Sequence, residues 1–448
     1  MRALRPILAA AVAAGLAGCA LKEPPPPDEL AAQALPNLQA PAAWTAAGGA
    51  SGAVADRWLA SFNDPQLDAL VQEALAYNPD LRIAAARVEQ AAAYARAAGA
   101  ALYTEVNVLA RGGGKFSGDA SGLRGVGAFL SWELDLWGRV RAASAAGETQ
   151  YQSALLDAEY ARQSIAALAA KSWFLATEAK LQKSIAEDMA AAAARQLGFA
   201  QDRLRVGIGD EYEVTLARAS LAAYQDTVKN LDLAYLQALR ALEALAGRYP
   251  AATASVPAKL AAMPGPVPAG VPSELLERRP DVAAAERRVA AAFYRVEEAK
   301  AARLPRISLT AAVSSVSSDL FVLKDKDNPV WSAGGTLLAP LDLGGQLRSQ
   351  VEIRTAEQQQ ALAEYGRVGA RAFGEVENAL AAEFSLQERE AILRQAVADN
   401  TRALDLANIR YRVGSGDLRA VQQQLLALDA ARTALVRVQS ERLVQRVN

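Results

Sequence analysis

Apolar and polar side chains alternate with a period of two in four segments of the chain. The alternation predicts β-strands at about 102–111, 125–136, 305–314 and 330–341. Each segment has one apolar and one polar face, which is typical of a membrane β-barrel strand and also of a half-buried strand in a soluble sheet. Four strands cannot close a barrel, and hydrocarbon does not tolerate an open sheet edge. If the strands span a membrane, two or three chains must share one barrel, because known barrels have about eight strands or more.

A helical period replaces the alternation after each pair of strands. Two intervals of 67 residues, 139–205 and 346–412, contain no proline, and their apolar residues recur at spacings of three and four, as in Phe373, Val376 and Leu380. Because proline inside a helix costs about 3 kcal/mol, both intervals can form continuous helices. A helix of this length is roughly 100 Å long and needs neighbours along its side, as in a coiled coil. The pattern therefore predicts long α-helical hairpins.

The same order of elements occurs twice, which predicts two structural repeats. Two motifs return 207 residues later: Leu134-Asp135-Leu136-Trp137-Gly138 as Leu341-Asp342-Leu343-Gly344-Gly345, and Arg205-Val206-Gly207-Ile208-Gly209-Asp210 as Arg412-Val413-Gly414-Ser415-Gly416-Asp417. A third motif, Asn78-Pro79-Asp80-Leu81, returns after 201 residues as Arg279-Pro280-Asp281-Val282. The two offsets differ by six residues, so the change in length must lie between Pro79 and Leu134 in the first copy and their counterparts in the second. A fixed internal distance with a variable tip is expected of an elongated building block.

Proline placement divides the chain further. Nine of the 19 prolines lie at or before Pro79, and seven lie between Pro250 and Pro280. The predicted organisation is a signal peptide at 1–18, a lipid-anchored extended arm at 19–57, repeat 1 at 58–249, a Pro-rich linker at 250–272 and repeat 2 at 273–448.

The first 19 residues have the pattern of a targeting segment. Arg2 and Arg5 precede an apolar stretch that ends at Leu16 and is too short to span a bilayer. The following Leu16-Ala17-Gly18-Cys19 resembles a bacterial lipobox, which implies cleavage before Cys19 and lipid on its sulfur and amine. By the same resemblance, Ala20 suggests sorting to the outer membrane. The alternative is an ordinary signal peptide with an unmodified thiol.

Composition argues against several classes of function. The formal net charge is -1, so no bulk field attracts nucleic acid. The chain has no histidine and one cysteine, which removes the commonest general base, the commonest metal ligand and cysteine zinc clusters. The run Arg111-Gly112-Gly113-Gly114-Lys115 lies beside a predicted strand and lacks the context of a phosphate-binding loop. We therefore expect neither an enzyme nor a cofactor or metal site.

The residues of the two repeated turns indicate how each turn is built. Gly207 and Gly414 can adopt the left-handed conformation that ends a helix, and Asp210 and Asp417 can cap the next helix. A structural turn alone would account for each motif. Because the turn occurs twice, at the end of each hairpin far from the strands, the tips are also a candidate docking surface. The candidate docking residues are Val206, Gly207, Gly209, Asp210, Val413, Gly414, Gly416 and Asp417.

Taken together, these motifs make the chain similar to the outer membrane factor family, the TolC-like channel-tunnel proteins, and within it to the NodT-type lipoproteins of RND efflux systems. The resemblance covers nearly the whole mature chain and rests on WLASFNDPQLD at 58–68, NPDLRIAAARVEQ at 78–90, the Leu-Asp-Leu-Trp-Gly strand end and both Val-Gly-x-Gly-Asp turns. It implies a mostly α fold with a membrane β-barrel, closed as a homotrimer of 12 strands and 12 helices. It also implies three partners: a periplasmic adaptor (membrane fusion protein) that meets the tips, an inner-membrane RND-type pump, and outer-membrane lipid around the barrel.

The resemblance also implies a periplasmic gate. Many family members narrow the aperture with acidic residues shortly after the second turn, and the corresponding positions are Arg419 and Gln423. Neither is acidic. The hypothesis is that Arg419, one from each chain, forms a charged constriction with Asp417 beside it, whereas the alternative is an exposed arginine.

The function that the resemblance implies is an exit duct of a tripartite efflux pump in the bacterial outer membrane. The duct would be passive, with polar strand residues such as Glu105 and Glu133 lining its lumen and small molecules such as drugs as cargo. Two alternatives remain at this point: a periplasmic adaptor lipoprotein and a non-conducting structural spacer of the envelope.

Overall fold

The computed structural model describes residues 21–38, 40–46, 58–111, 124–265, 270, 272–317 and 330–448. The signal peptide and Cys19 lie outside the described residues. The chain forms two compact units, the first from Met1–Gln39, Ala85–Ala158 and Leu276–Ala370, the second from Ala40–Ala84, Glu159–Leu275 and Arg371–Asn448. Each unit draws on both sequence repeats, so the units do not coincide with the repeats.

Helices make up most of the described chain. The α-helices are α1 (Pro27–Ala34), α2 (Pro65–Tyr77), α3 (Pro79–Ala100), α4 (Arg139–Arg205), α5 (Glu211–Leu245), α6 (Leu275–Arg278), α7 (Pro280–Ala301), α8 (Gln346–Arg412) and α9 (Leu418–Val447), with short 3-10 helices at Leu59–Phe62 and Pro272–Glu274. The two long helices, α4 and α8, occupy the two proline-free intervals of 67 residues. Within the described ranges, every helix is too short or too polar to cross a lipid bilayer.

The first unit contains one antiparallel sheet. Its strands are β1 (Glu105–Arg111), β2 (Arg124–Leu134), β3 (Arg306–Ser317) and β4 (Val330–Leu338), and they lie side by side in sequence order. The register of the two hairpins repeats: Glu105 faces Ser131, and the residues 201 and 207 positions later, Arg306 and Leu338, also face each other. The equivalence continues to Arg111 with Gly125 and to Ala312 with Ser332. The six additional residues of the second copy therefore lie between the two strands of its hairpin and not in α7.

The strand ends differ from the sequence prediction for local reasons. Strand β1 begins at Glu105 instead of 102, because the N–H groups of Leu102 and Tyr103 donate to the end of α3. Strand β4 ends at Leu338 instead of 341, because Pro340 has no N–H to donate to a ladder. Strand β2 ends at Leu134 instead of 136, and β3 continues to Ser317 instead of ending at 314.

An aspartate of the repeated Leu-Asp-Leu motif caps the first turn of each long helix. Asp135 accepts from the N–H groups of Val140 and Arg141 at 3.2 and 2.9 Å. Asp342 accepts from the equivalent N–H groups, those of Leu347 and Arg348, at 3.0 and 2.9 Å, and these bonds lower the pKa of Asp342. The motif thus satisfies N–H groups that a helix leaves unpaired at its first turn.

Helix α1 packs against α8 in the first unit. A Cβ at Gly366 would lie 2.5 Å from the carbonyl oxygen of Ala34, so only glycine permits this approach. Helix α1 is thereby fixed against the second long helix at Gly366.

The second unit has an apolar core around the segment 58–68. Phe62 packs on Phe174 with ring centroids 5.1 Å apart, and Leu67 is fully buried. Asp64 caps α2 through the N–H groups of Gln66 and Leu67, and it also accepts from Trp173 Nε1 at 2.9 Å. Burial of each large apolar side chain stabilises the unit by about 1.5–3 kcal/mol.

The linker is held by one buried carboxylate, Glu243. It accepts from the N–H groups of Ala252, Thr253 and Ala254 at 2.7, 2.6 and 2.8 Å. Burial raises the pKa of Glu243, but the backbone hydrogen bonds outweigh it and the pKa lies below its ordinary value. These bonds hold Ala252 at a φ of +59°, which is unusual for a residue with a Cβ.

Candidate docking and gating site at the helical turns

The first turn joins α4 to α5 and ends the long helix at a glycine. Gly207 has a φ of +79°, and the N–H groups of Ile208 and Gly209 both donate to the carbonyl of Arg203 at 3.0 and 3.1 Å. Asp210 then caps α5 by accepting from the N–H of Glu213 at 2.8 Å. Both predicted roles, the glycine helix end and the aspartate cap, are confirmed for this turn.

The second turn joins α8 to α9 in the same way. Gly414 has a φ of +77°, and the N–H of Ser415 donates to the carbonyl of Arg410 at 2.9 Å. Asp417 caps α9 by accepting from the N–H of Ala420 at 2.8 Å. The predicted cap is confirmed here as well.

Apolar side chains point to solvent at both turns. Val206, Ile208 and Val413 are exposed, next to backbone that the glycines and caps hold in one conformation. Exposed apolar side chains on a rigid backbone are suited to contact with another protein, because little conformational freedom is lost on binding.

A buried cluster ties the two turns together. Tyr411 of α8 is 1% exposed, and its hydroxyl donates to Glu213 of α5 at 3.2 Å. Arg203 of α4 lies over the Tyr411 ring at 4.9 Å and pairs with Glu213 at 3.4 Å. Burial, with the charge of Glu213 second, raises the pKa of Tyr411 to about 12. Three helices therefore meet through one neutral phenol and one ion pair.

An apolar core continues from this cluster between the four helices. It contains Met189, Ala193, Ala200, Val214, Ala217, Leu404, Tyr411, Leu418, Val421, Leu425 and Leu428. The two turns are thus parts of one packed body and not independent loops.

The gate candidates lie in the first turns of α9. Arg419 is exposed and donates from Nη2 to the hydroxyl of Tyr212 in α5 at 3.0 Å, which raises the pKa of Arg419. Gln423 is exposed one helical turn further on the same face. Asp417 accepts as the cap of α9, while the side chain of Arg419 donates to Tyr212.

Sequence reasoning missed the Tyr411 cluster. The available signal was a break in the repeat, because Tyr411 stands where the first copy has Leu204, and Glu213 stands where the second copy has Ala420. Arg203 and Arg410 keep the repeat, so the break concerns two of the three partners.

Comparison with known proteins agrees with this architecture. The family model described as outer membrane efflux protein matches residues 70–248 and 271–448. The chain belongs to this family. It is an outer-membrane efflux protein with the TolC-like fold, and the family is not a known family of enzymes.

Individual relatives match over almost their whole length. The pyoverdine export outer membrane protein OpmQ of Pseudomonas putida is 31% identical over 428 residues, which cover 91% of this chain and 90% of that protein. The cation efflux system protein CusC of Escherichia coli K12 is 29% identical over 404 residues, 87% of each chain. The solved structure of the outer-membrane channel OprN superposes with a TM-score of 0.83 at 27% identity, covering 92% of this chain and 97% of that chain.

Proposed function

We propose that three copies of this outer-membrane efflux protein form one passive, water-filled duct that carries small molecules out of the cell. The observation that carries the proposal is the four-stranded sheet, in which β1 and β4 each have one paired edge among the described residues. Hydrocarbon does not tolerate unpaired backbone groups, so neighbouring copies must pair with both edges. Three copies supply 12 strands and, from α4, α5, α8 and α9, 12 tunnel helices.

The cargo belongs to the class of small molecules. Relatives named for pyoverdine export and for cation efflux support small solutes of different charge, with drugs as a further candidate. In this proposal the polar strand residues Glu105 and Glu133 line the lumen, and the energy comes from an inner-membrane RND-type pump. The duct carries out no chemistry on its cargo and uses no cofactor.

Conductance in a planar bilayer tests the function. Full-length protein extracted in detergent and inserted into the bilayer should give discrete ion currents. Inserted protein that passes no current would favour the alternative, a structural spacer of the envelope.

The tips are the proposed contact with the periplasmic adaptor. Val206, Ile208 and Val413 offer apolar contact area, and the caps at Asp210 and Asp417 keep the backbone in place. Replacing Val413 by aspartate should reduce adaptor crosslinking and export in cells, because a charge would have to be desolvated in the contact. The matched control is Ile392→Asp, an exposed position of α8 away from the turn. Equal loss in both variants would argue against docking at the tips.

Arg419 is the proposed positive group of the periplasmic gate, with Gln423 and Asp417 nearby. Three copies would bring three exposed guanidinium groups to one constriction, where each would repel cations. Arg419→Ala should shift single-channel ion selectivity towards cations, and Arg419→Lys should retain the original selectivity. Unchanged conductance and selectivity in Arg419→Ala would remove this residue from the gate.

Cys19 is the proposed lipid attachment site, with the Pro-rich arm as the spacer to the body. Palmitate label should be lost in Cys19→Ala, and label retained in that variant would contradict the assignment.

A further inference from the structure

We infer that the internal repeat specifies the junction between copies residue by residue. Helix α3 and strand β1 of one copy lie against helix α8 and strand β4 of the next copy, with Leu109 opposite Leu338 and Arg87 paired with Glu364. The inference rests on the proposed assembly and adds its contacts. The four residues placed in contact all belong to the first compact unit.

The first observation is the unequal burial of two equivalent helices. Among the described residues, none of the 22 in α3 is buried, whereas α7, its counterpart 201 residues later, has eleven buried residues. Ala284 of α7 is 0% exposed, and Ile83 at the equivalent position of α3 is 51% exposed. An apolar side chain exposed where its counterpart is buried marks a face that another molecule covers.

The second observation is a matching difference between the long helices. Four residues at helical spacing near the start of α4 are buried: Ala142, Ala146, Thr149 and Ser153. Their counterparts in α8, 207 residues later, are exposed: Ser349, Ile353, Ala356 and Gln360. Ala146 is 4% exposed and Ile353 is 51% exposed. Leu341 and Leu343, just before α8, are 82% and 94% exposed, although their counterparts Leu134 and Leu136 are half-buried.

Within one chain, helix α7 occupies the place beside α4. Arg288 of α7 forms an ion pair with Asp157, one turn beyond the buried residue Ser153. Helix α3 touches α4 of its own chain near Gly99 and Gly147 but buries no residue there. Its exposed face and the exposed start of α8 therefore present the two halves of the same contact. Since α7 and α4 make this contact inside one chain, α3 and α8 can make it only between copies, in the head-to-tail arrangement that closes a ring.

Equivalent positions of the two repeats carry charges of the same sign at this contact. Arg288 corresponds to Arg87 in α3, and Asp157 corresponds to Glu364 in α8. Arg87 is exposed and has no ion-pair partner within the described part of the chain, and Glu364 accepts from Arg367 on its own helix. A carboxylate has about four lone-pair sites, so Arg87 of the neighbouring copy can add a further bond to Glu364.

The sheet gives the register of the same junction. Strand β2 pairs with β3 so that Ser131 faces Thr310 and Leu130 faces Ala311. The repeat relates β2 to β4 by 207 residues and β3 to β1 by 201 residues. If β4 pairs with β1 of the next copy as β2 pairs with β3, Leu338 lies opposite Leu109 and Leu337 lies opposite Ala110. The intra-chain hairpins obey the same displacement, because Glu105 with Ser131 becomes Arg306 with Leu338.

Disulfide crosslinking in the outer membrane tests the register. The double variant Leu109→Cys/Leu338→Cys should form covalent trimers that a dithiol reductant separates into single chains. Directly opposed strand positions have the separation that a disulfide requires. The control Val108→Cys/Leu338→Cys places the two thiols on opposite faces of the sheet and should give little crosslink. Each variant that carries only one of the two added cysteines beside the native Cys19 should give no trimer.

Charge reversal tests the helix contact independently. Arg87→Glu or Glu364→Arg alone should lower the crosslinking yield of the Leu109/Leu338 pair about two- to fivefold, the effect expected of an exposed ion pair. The double reversal should restore the yield. If the double reversal does not restore the crosslinking yield, the proposed ion pair between Arg87 and Glu364 is wrong.

The outcomes separate the junction from the proposed function. Trimers that crosslink through Val108 but not through Leu109 would overturn the register and leave the proposed duct standing. Parent protein that is monomeric in detergent and in chemical crosslinking of membranes would overturn both.

Discussion

Single residues at the turns decide how firmly the hairpin ends are held. Tyr411 contributes a buried ring, a hydroxyl donor to Glu213 and a platform for Arg203. Tyr212 also makes a hydroxyl contact between helices, with Arg419, but it is exposed. Loss of the Tyr411 hydroxyl should therefore destabilise the turns more than loss of the Tyr212 hydroxyl, because water can replace the bond at the exposed Tyr212 more readily than the one at the buried Tyr411.

Tyr411→Phe should loosen the turns while the rest of the protein stays folded. The variant leaves the partly buried carboxylate of Glu213 with one partner fewer, and a hydrogen bond to a charged group is worth about 1.5–3 kcal/mol. Amide hydrogen exchange around both turns should rise roughly ten- to a hundredfold. Tyr212→Phe is the control and should change exchange little. Equal protection of the turns in the Tyr411→Phe variant and the parent would contradict the role given to the cluster.

The same residue predicts an alkaline limit for the turns. The pKa of Tyr411 lies at about 12 in the folded protein, against 10.0 for an ordinary tyrosine. A raised folded-state pKa gives stability that is present below about pH 10 and is lost as the pH rises towards about 12. Hydrogen exchange at the turns should therefore show a steeper alkaline rise in the parent than in Tyr411→Phe, after correction for intrinsic exchange.

The caps of the turns could be predicted from the sequence, and the Tyr411 cluster could not. A glycine and an aspartate three residues later act within one turn of backbone, so a short motif contains all the information. Tyr411 and Glu213 are 198 positions apart, and only the packing of α5 beside α8 brings them together.

At the scale of elements, the N-terminal arm depends on one glycine of α8. Gly366→Ala would place a Cβ 2.5 Å from the carbonyl oxygen of Ala34. The arm should therefore be displaced, and limited proteolysis should cut it faster. Gly374→Ala is the matched control in the same helix, because its Cβ would meet open space and should stabilise the helix by about 0.5–1 kcal/mol. An arm that stays protected in Gly366→Ala would show that it does not pack at this position.

The linker depends on the carboxylate of Glu243. Glu243→Gln should lower the free energy of unfolding by about 1.5–3 kcal/mol, because its NH2 group would replace one of the two accepting oxygens and face at least one backbone N–H donor. The exposed residue Glu388 of α8 supplies the control, Glu388→Gln, which should have little effect.

The pH dependence gives a second measure of Glu243. Its folded-state pKa is lowered, so its contribution is present above the ordinary pKa of 4.5 and is lost as the pH falls through the lower folded value. Thermal midpoints between neutral and acidic pH should fall less steeply in Glu243→Gln than in the parent. Identical profiles for the two proteins would contradict the linker contact.

The positions of helices and strands were more predictable than their ends. Proline-free intervals and alternation of side chains extend over many residues, so they locate α4, α8 and the four strands. The ends depend on single hydrogen bonds, such as those of Leu102 and Tyr103 to α3, and on the missing N–H of Pro340.

At the scale of the whole molecule, the repeat explains what one chain leaves unfinished. Helix α7 is covered by its own chain, whereas α3, the start of α8 and the outer edges of β1 and β4 lack the corresponding cover among the described residues. The two compact units each combine segments of both repeats. The sequence showed the repeat, but the uneven burial required the structure.

The central claim is that identical copies of the chain enclose one channel. Electron microscopy of the full-length protein extracted from the outer membrane in detergent tests it most directly. The expected particles have three copies around an open central channel. Single chains, or particles without a central channel, would contradict it.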